Sequence, residues 1–194
     1  MPRQEHTQKN QLLPEHQQLL ENCGIKAEVA KSRGYFSVTA LADLTSLCFK
    51  RYQFTGPSLI SPIFGFDGHI VTYLGKPDRP RMRDGHPIEE ELPEGSSLAI
   101  DVPPASLLSL EDSETELWIT DGPRQADALT SVGLTAVGLI GHRGWRSLRP
   151  RKKKPLAAWD NTSLNGREVV IAFGSIATST PDRLADLQHF TRFL

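Results

Sequence analysis

The stretch "ELWITDGPRQADALTSVGLTAVGLIG", Glu116 to Gly141, constrains the fold more than any other part of the chain. Apolar β-formers run into an Asp-Gly-Pro turn, a segment with helical apolar spacing follows, and a second apolar run closes the unit. Proline suits the first position of a helix, because the N–H it lacks is one that the first helical turn leaves unpaired anyway. Strand, helix and strand in that order read as a βαβ unit with parallel strands. "REVVIAF", Arg167 to Phe173, adds a strand, and a helix is expected from about Pro181 to Leu194. The class is α/β with a mostly parallel sheet.

The rest of the chain has a different texture. Residues 1–10 are polar and aperiodic and read as a frayed terminus. "LLPEHQQLLENCG", "IKAEVAKSRGY" and "TALADLTSLCF" read as three short helices, with stops at Gly24 and Gly34 and Thr39 as a candidate cap. From Leu59 to Phe64 and from His69 to Leu74, β-rich runs flank "GFDG", a hairpin signal in which Asp67-Gly68 would supply positive-φ positions. "DGHPIEEELPEGS" is loop-like, and "SLAIDVPP" reads as one more short strand. Three units follow: a helical unit over 1–55, a hairpin subdomain over 56–104 and the α/β domain over 105–194.

Nothing in the 194 residues has the length of a signal-peptide core or of a membrane span of about 18 apolar residues, so the expectation is a soluble, cytoplasmic protein without membrane contact. Cys23 and Cys48 lack metal-knuckle spacing and are expected to be buried small apolar side chains. The net charge of −1 conceals segregated charge. Lys76, Arg79, Arg81 and Arg83 crowd one stretch; Asp84 to Asp121 holds eleven acids and no Lys or Arg; Arg143 to Lys154 holds seven cations and no acid. The last block comprises Arg143, Arg146, Arg149, Arg151, Lys152, Lys153 and Lys154. Such blocks attract phosphate through counterion release, with Trp145 or Tyr73 as candidate stacking faces for a base. A solvated basic loop is the bland alternative.

In open α/β sheets, ligands bind beyond the carboxyl ends of the strands. Asp121 and "GSIAT" lie at two such ends, and the helix opening at "DGP" directs N–H groups to the same place. By itself, Asp121 reads equally as a helix N-cap.

From about Leu12 to Leu194 the chain resembles a primase-associated domain of unknown function from plasmid, phage and integrated-element replication proteins. The resemblance lies in "LLPEHQQLLENCGIKAEVAKSRGY", "LISPIFGFDGHIVTYLGKPDRPR", "AIDVPP", "LWITDGPRQADALTSVGLTAVGLIG" and "LNGREVVIAF". The last two are similar to a TOPRIM fold, the catalytic module of bacterial primases and topoisomerases. "SPIFGFDGHIVTYLG" resembles the segment that precedes TOPRIM in replicative primases.

The resemblance implies a site and marks what this chain has lost. TOPRIM enzymes pair a Glu-Gly turn with an Asp-x-Asp turn that holds divalent metal. Here Asp121 takes the Glu position, while Gly174 and Ile176 take the two Asp positions and offer no side-chain ligand. Gln125 stands where relatives carry a basic residue, beside a retained Arg124. Glu89 to Glu91 replace a Lys-Tyr-Glu run, and the chain stops at Leu194 where relatives continue. Asp127 and Asp182 are the acids that might stand in; His69, His86 and His142 have no partner spacing and read as surface or loop residues.

Three functions remain open. The first is a catalytically silent, primase-related module of a mobile-element replication system that binds single-stranded DNA or RNA without a cofactor. The second is an active nucleotidyl transferase or nuclease that uses Mg²⁺ and Asp121. The third is an interaction protein that docks on a replication helicase or a full-length relative, its acidic stretch facing the partner or mimicking phosphate.

Overall fold

The computed structural model describes residues 11–147, 154–175 and 179–194. Helix α1 (Pro14–Asn22) begins at a proline and α2 (Ala27–Arg33) ends at Gly34, whose φ of +74° stops the helix in the left-handed region. Strand β1 (Phe36–Val38), helix α3 (Leu41–Ser46), and the long strands β2 (Ser58–Phe64) and β3 (Ile70–Pro77) follow. A small hairpin, β4 (Met82–Arg83) and β5 (His86–Pro87), precedes the α/β unit. That unit contains β6 (Leu117–Thr120), α4 (Pro123–Ser131), β7 (Ala136–Gly138), β8 (Val169–Ala172) and α5 (Pro181–Phe193).

The first sheet is antiparallel, in the order β1-β2-β3. The second is parallel, in the order β7-β6-β8, with Ile119 opposite both Val137 and Ile171. This is the α/β architecture with a parallel sheet that the alternating pattern implies. Residues 1–55 also contribute β1, a short Phe-Ser-Val edge strand that the helical periodicity around it conceals.

Several local expectations are corrected. "SLAIDVPP" forms no strand: Asp101 makes an isolated antiparallel bridge with Gly138, and the prolines that follow prevent a longer ladder. In the β2–β3 turn, Gly68 alone has positive φ; the Asp67 side chain accepts a hydrogen bond from the His69 N–H at 3.0 Å instead. The loop-like "DGHP" is a hairpin, since Asp84 and Gly85 both take positive φ, as a two-residue turn of that kind requires. Ala40, not Thr39, caps α3 and makes no side-chain bond. Both cysteines are exposed, because each lies where the chain leaves a helix, Cys48 at a φ of +69°.

Three apolar clusters form the core. Ile100, Leu117, Ile119, Val137, Leu139, Trp145, Trp159 and Phe190 fill the space between the parallel sheet, α5 and the Ala157–Asn161 turn. Leu20, Ile25, Val29, Tyr35 and Leu59 join α1 and α2 to the antiparallel sheet, with Ala128 of α4 packed against them. Val38, Leu44, Phe49 and Ile60 form the third.

A buried ionic cluster crosses all three expected units. Arg33 donates from Nε to Asp127 Oδ2 at 2.9 Å, from Nη2 to Asp127 Oδ1 at 2.7 Å, from Nη1 to the Pro62 carbonyl at 3.2 Å, and to Asp101. The Tyr35 hydroxyl donates to Asp127 at 2.6 Å. Burial opposes the charge on Arg33, but Asp101 and Asp127 outweigh it and hold the guanidinium firmly protonated.

Candidate functional site

The carboxyl ends of β6, β7 and β8 face one region, because the three strands are parallel and in register. The chain leaves them at 121–122, 139–143 and 173–175. These exits carry one carboxylate, Asp121, and one imidazole, His142.

Asp121 is held by the backbone. Its carbonyl accepts from the Gly141 N–H at 3.0 Å, tying the exit of β6 to that of β7. Its Oδ1 accepts from the Gly174 N–H at 3.3 Å, tying it to the exit of β8. The N-cap role is corrected: Gly122 caps α4 and supplies no side-chain bond, while the Asp121 carboxylate turns across the sheet toward β8. A Cβ built on Gly174 would lie 3.7 Å from Asp121 Oδ2, in ordinary contact, so the strand tips have room for a side chain there. Ile176 lies outside the described residues.

The other acids are committed elsewhere. Asp127 is fully buried against Arg33, Asp182 lies in the first turn of α5, and the cap of that helix is Thr180, whose hydroxyl accepts from the Arg183 N–H at 3.4 Å. Asp186 takes hydrogen bonds from Arg143 and, at 2.7 Å, from Arg146. Among the described residues, no three His, Cys, Asp or Glu side chains are grouped as a metal site.

His142 is a site residue that its sequence surroundings did not mark. Its place directly after an apolar strand was the available signal, but the partner that matters is 44 positions away. Nε2 lies 3.7 Å from Asp186 Oδ2 and has no hydrogen-bond partner among the described residues. Burial, and then the neighbouring Arg143, lower the imidazole pKa; Asp186 and Asp121 pull it the other way.

The cations proposed to contact nucleic acid divide into three groups. Arg79, Arg83 and Lys154 are exposed and enter no ion pair among the described residues. Five others are paired: Lys76 with Glu89 at 3.4 Å, Arg81 with Glu91 at 2.7 Å, Arg124 with Glu90 at 2.7 Å, and Arg143 and Arg146 with Asp186. Arg149, Arg151, Lys152 and Lys153 lie outside the described residues.

Neither proposed stacking face is free. Trp145 is 5% exposed, with ring centroids 5.3 Å from Phe190 and 5.4 Å from Phe193. Helix α5 covers it, and only Arg146 reaches over its ring, 5.1 Å from the centroid. Tyr73 packs edge-on against Phe36 at 6.3 Å. An aromatic residue within a basic run reads as a stacking platform until the helix that buries it is in place.

No protein-family model matches the sequence, and no curated protein matches it. Solved structures match in fold. The RNA polymerase domain of Mycobacterium tuberculosis primase DnaG aligns with 88% of this chain and 65% of its own, at 14% identity and a TM-score of 0.52. The same domain in complex with double-stranded DNA aligns with 82% of this chain and 56% of its own, at 14% identity and a TM-score of 0.51. The Aquifex aeolicus primase, zinc-binding and RNA polymerase domains together, aligns with 65% of this chain and 36% of its own, at 14% identity and a TM-score of 0.48. The chain thus spans from about a third to two thirds of these structures. With the parallel β7-β6-β8 sheet, the likeness identifies the fold as TOPRIM-like α/β. No helix among the described residues is long and apolar enough to cross a membrane.

Proposed function

We propose that this chain is a primase-related TOPRIM module that binds nucleic acid, single-stranded by preference, and carries out no metal-dependent nucleotidyl transfer. One observation carries the reading: Asp121 stands alone at the strand tips, facing the backbone N–H of Gly174 where a second carboxylate would complete a metal site. Mg²⁺ takes about six oxygen ligands in near-octahedral array and is held through carboxylates. A single carboxylate already accepting an amide N–H does not fit it, so no catalytic step is routed through a metal here.

Binding is supported by the primase-type fold, by the DNA complex of one structural neighbour, and by the exposed Arg79, Arg83 and Lys154. A place in mobile-element replication rests on the family resemblance of the sequence, as does a helicase or full-length relative as protein partner.

Fluorescence anisotropy with a labelled single-stranded DNA oligonucleotide tests the proposal. Binding should weaken steeply with salt and be indifferent to Mg²⁺ at matched ionic strength. The triple variant R79A/R83A/K154A should flatten the salt slope by about 2, at roughly 0.7 per phosphate contact on single strands. A metal-dependent activity that Asp121→Ala abolishes would establish the enzyme instead.

A further inference from the structure

Three cations from three elements meet three consecutive glutamates. Lys76 belongs to β3, Arg81 to the segment before β4, and Arg124 to the first turn of α4. They pair in turn with Glu89, Glu91 and Glu90. Backbone geometry sets this register. The β4–β5 hairpin folds the chain back, the Ile88 N–H donates to the Arg81 carbonyl at 2.9 Å, and Glu91 exchanges two hydrogen bonds of 2.9 Å with Gly75, next to Lys76.

The three glutamates are not held alike. Glu91 is 9% exposed, accepts from Arg81 Nε at 3.0 and 3.1 Å, and also accepts from Gln53 at 2.7 Å, so it is anchored. Glu89 and Glu90 are 62% and 30% exposed, and each makes one ion pair. They line a cavity of about 410 Å³ with Pro123, Ile140 and Gly141, beside the exits of β6 and β7.

Resting on the nucleic-acid reading above, we infer that Glu89 and Glu90 are an internal stand-in for phosphate: they occupy Lys76 and Arg124 until a nucleic-acid backbone displaces them. Ion pairs this open to water are weak, so a polyanion can replace them. Arg79 and Arg83, exposed on the same stretch, would make the first contacts, and release of Lys76 and Arg124 would follow. The cost of breaking the two pairs lowers the resting affinity and filters out anions too sparsely charged to compete.

The test compares wild type with E89Q/E90Q, which keeps side-chain shape and leaves the anchored Glu91 in place. Circular dichroism first verifies the fold of each variant, and binding of a single-stranded DNA oligonucleotide is then followed across salt. The double variant should bind about tenfold tighter near 0.1 M salt, with a slope steeper by about 1.4 for two added phosphate contacts. Adding K76A/R124A to it should return both to wild-type values, and E111Q/E114Q, which removes the same charge elsewhere, should change little.

Equal affinity of wild type and E89Q/E90Q would overturn the inference and leave nucleic-acid binding standing. A similar gain from E111Q/E114Q would also overturn it, by assigning the effect to net charge. If no variant bound, the nucleic-acid reading and the inference would fall together.

Discussion

His142 shows how a single residue reports the site. Its imidazole sits within the fields of Arg143, Arg183, Asp186 and Asp121, and burial with Arg143 holds its pKa below the ordinary value. The folded molecule therefore takes up this proton less readily than the unfolded chain. Between the lowered value and the ordinary value of about 6.5, the unfolded chain carries more protons, so stability rises with pH through that window and is lost on acidification. Urea midpoints should fall as the pH drops below about 6.5, and His142→Asn should flatten that fall. An undiminished fall in the variant would assign the step to other groups.

At the scale of elements, the junction of β7 with the start of α4 is the tightest part of the site. A Cβ on Gly138 would approach Pro123 Cα to 2.9 Å and the Gly122 carbonyl to 3.1 Å, and those atoms are backbone that cannot swing aside. Gly138 also exchanges two hydrogen bonds of 2.8 Å with Asp101, which fasten the 99–102 segment to the sheet. Gly138→Ala should cost about 1–3 kcal/mol through overpacking, read from urea unfolding. Faster amide exchange at Asp101 and Gly138 would localise the damage; unchanged stability would mean that α4 moves away without penalty.

For the whole molecule, the Arg33 cluster decides whether three units behave as one. Removing one partner of a buried charge group leaves the others uncompensated, at about 3–5 kcal/mol. Arg33→Met should lower stability by that amount without dividing the transition. Trp118, Trp145 and Trp159 all lie in the C-terminal part, so their fluorescence reports the parallel sheet, while amide exchange at Leu59 and Ile60 reports the antiparallel one. Agreement of the two probes in wild type and variant marks one cooperative unit; separate transitions would mark independent domains.

The sequence by itself determined the α/β class, the parallel βαβ unit, the two helix stops at Gly24 and Gly34, and the position of Asp121 at a strand tip. All of these follow from local periodicity, glycine conformational freedom and the direction of a strand. Only the tertiary structure decided that Asp121 faces the Gly174 amide rather than capping α4, that Trp145 is covered by α5, that Asp127 belongs to Arg33, and that the Glu89–Glu91 run lies on Lys76, Arg81 and Arg124. Most of these partners are distant in sequence, Arg33 and Asp127 by 94 positions. Charge and aromatic patterns along a chain carry no record of which residue will pack opposite them.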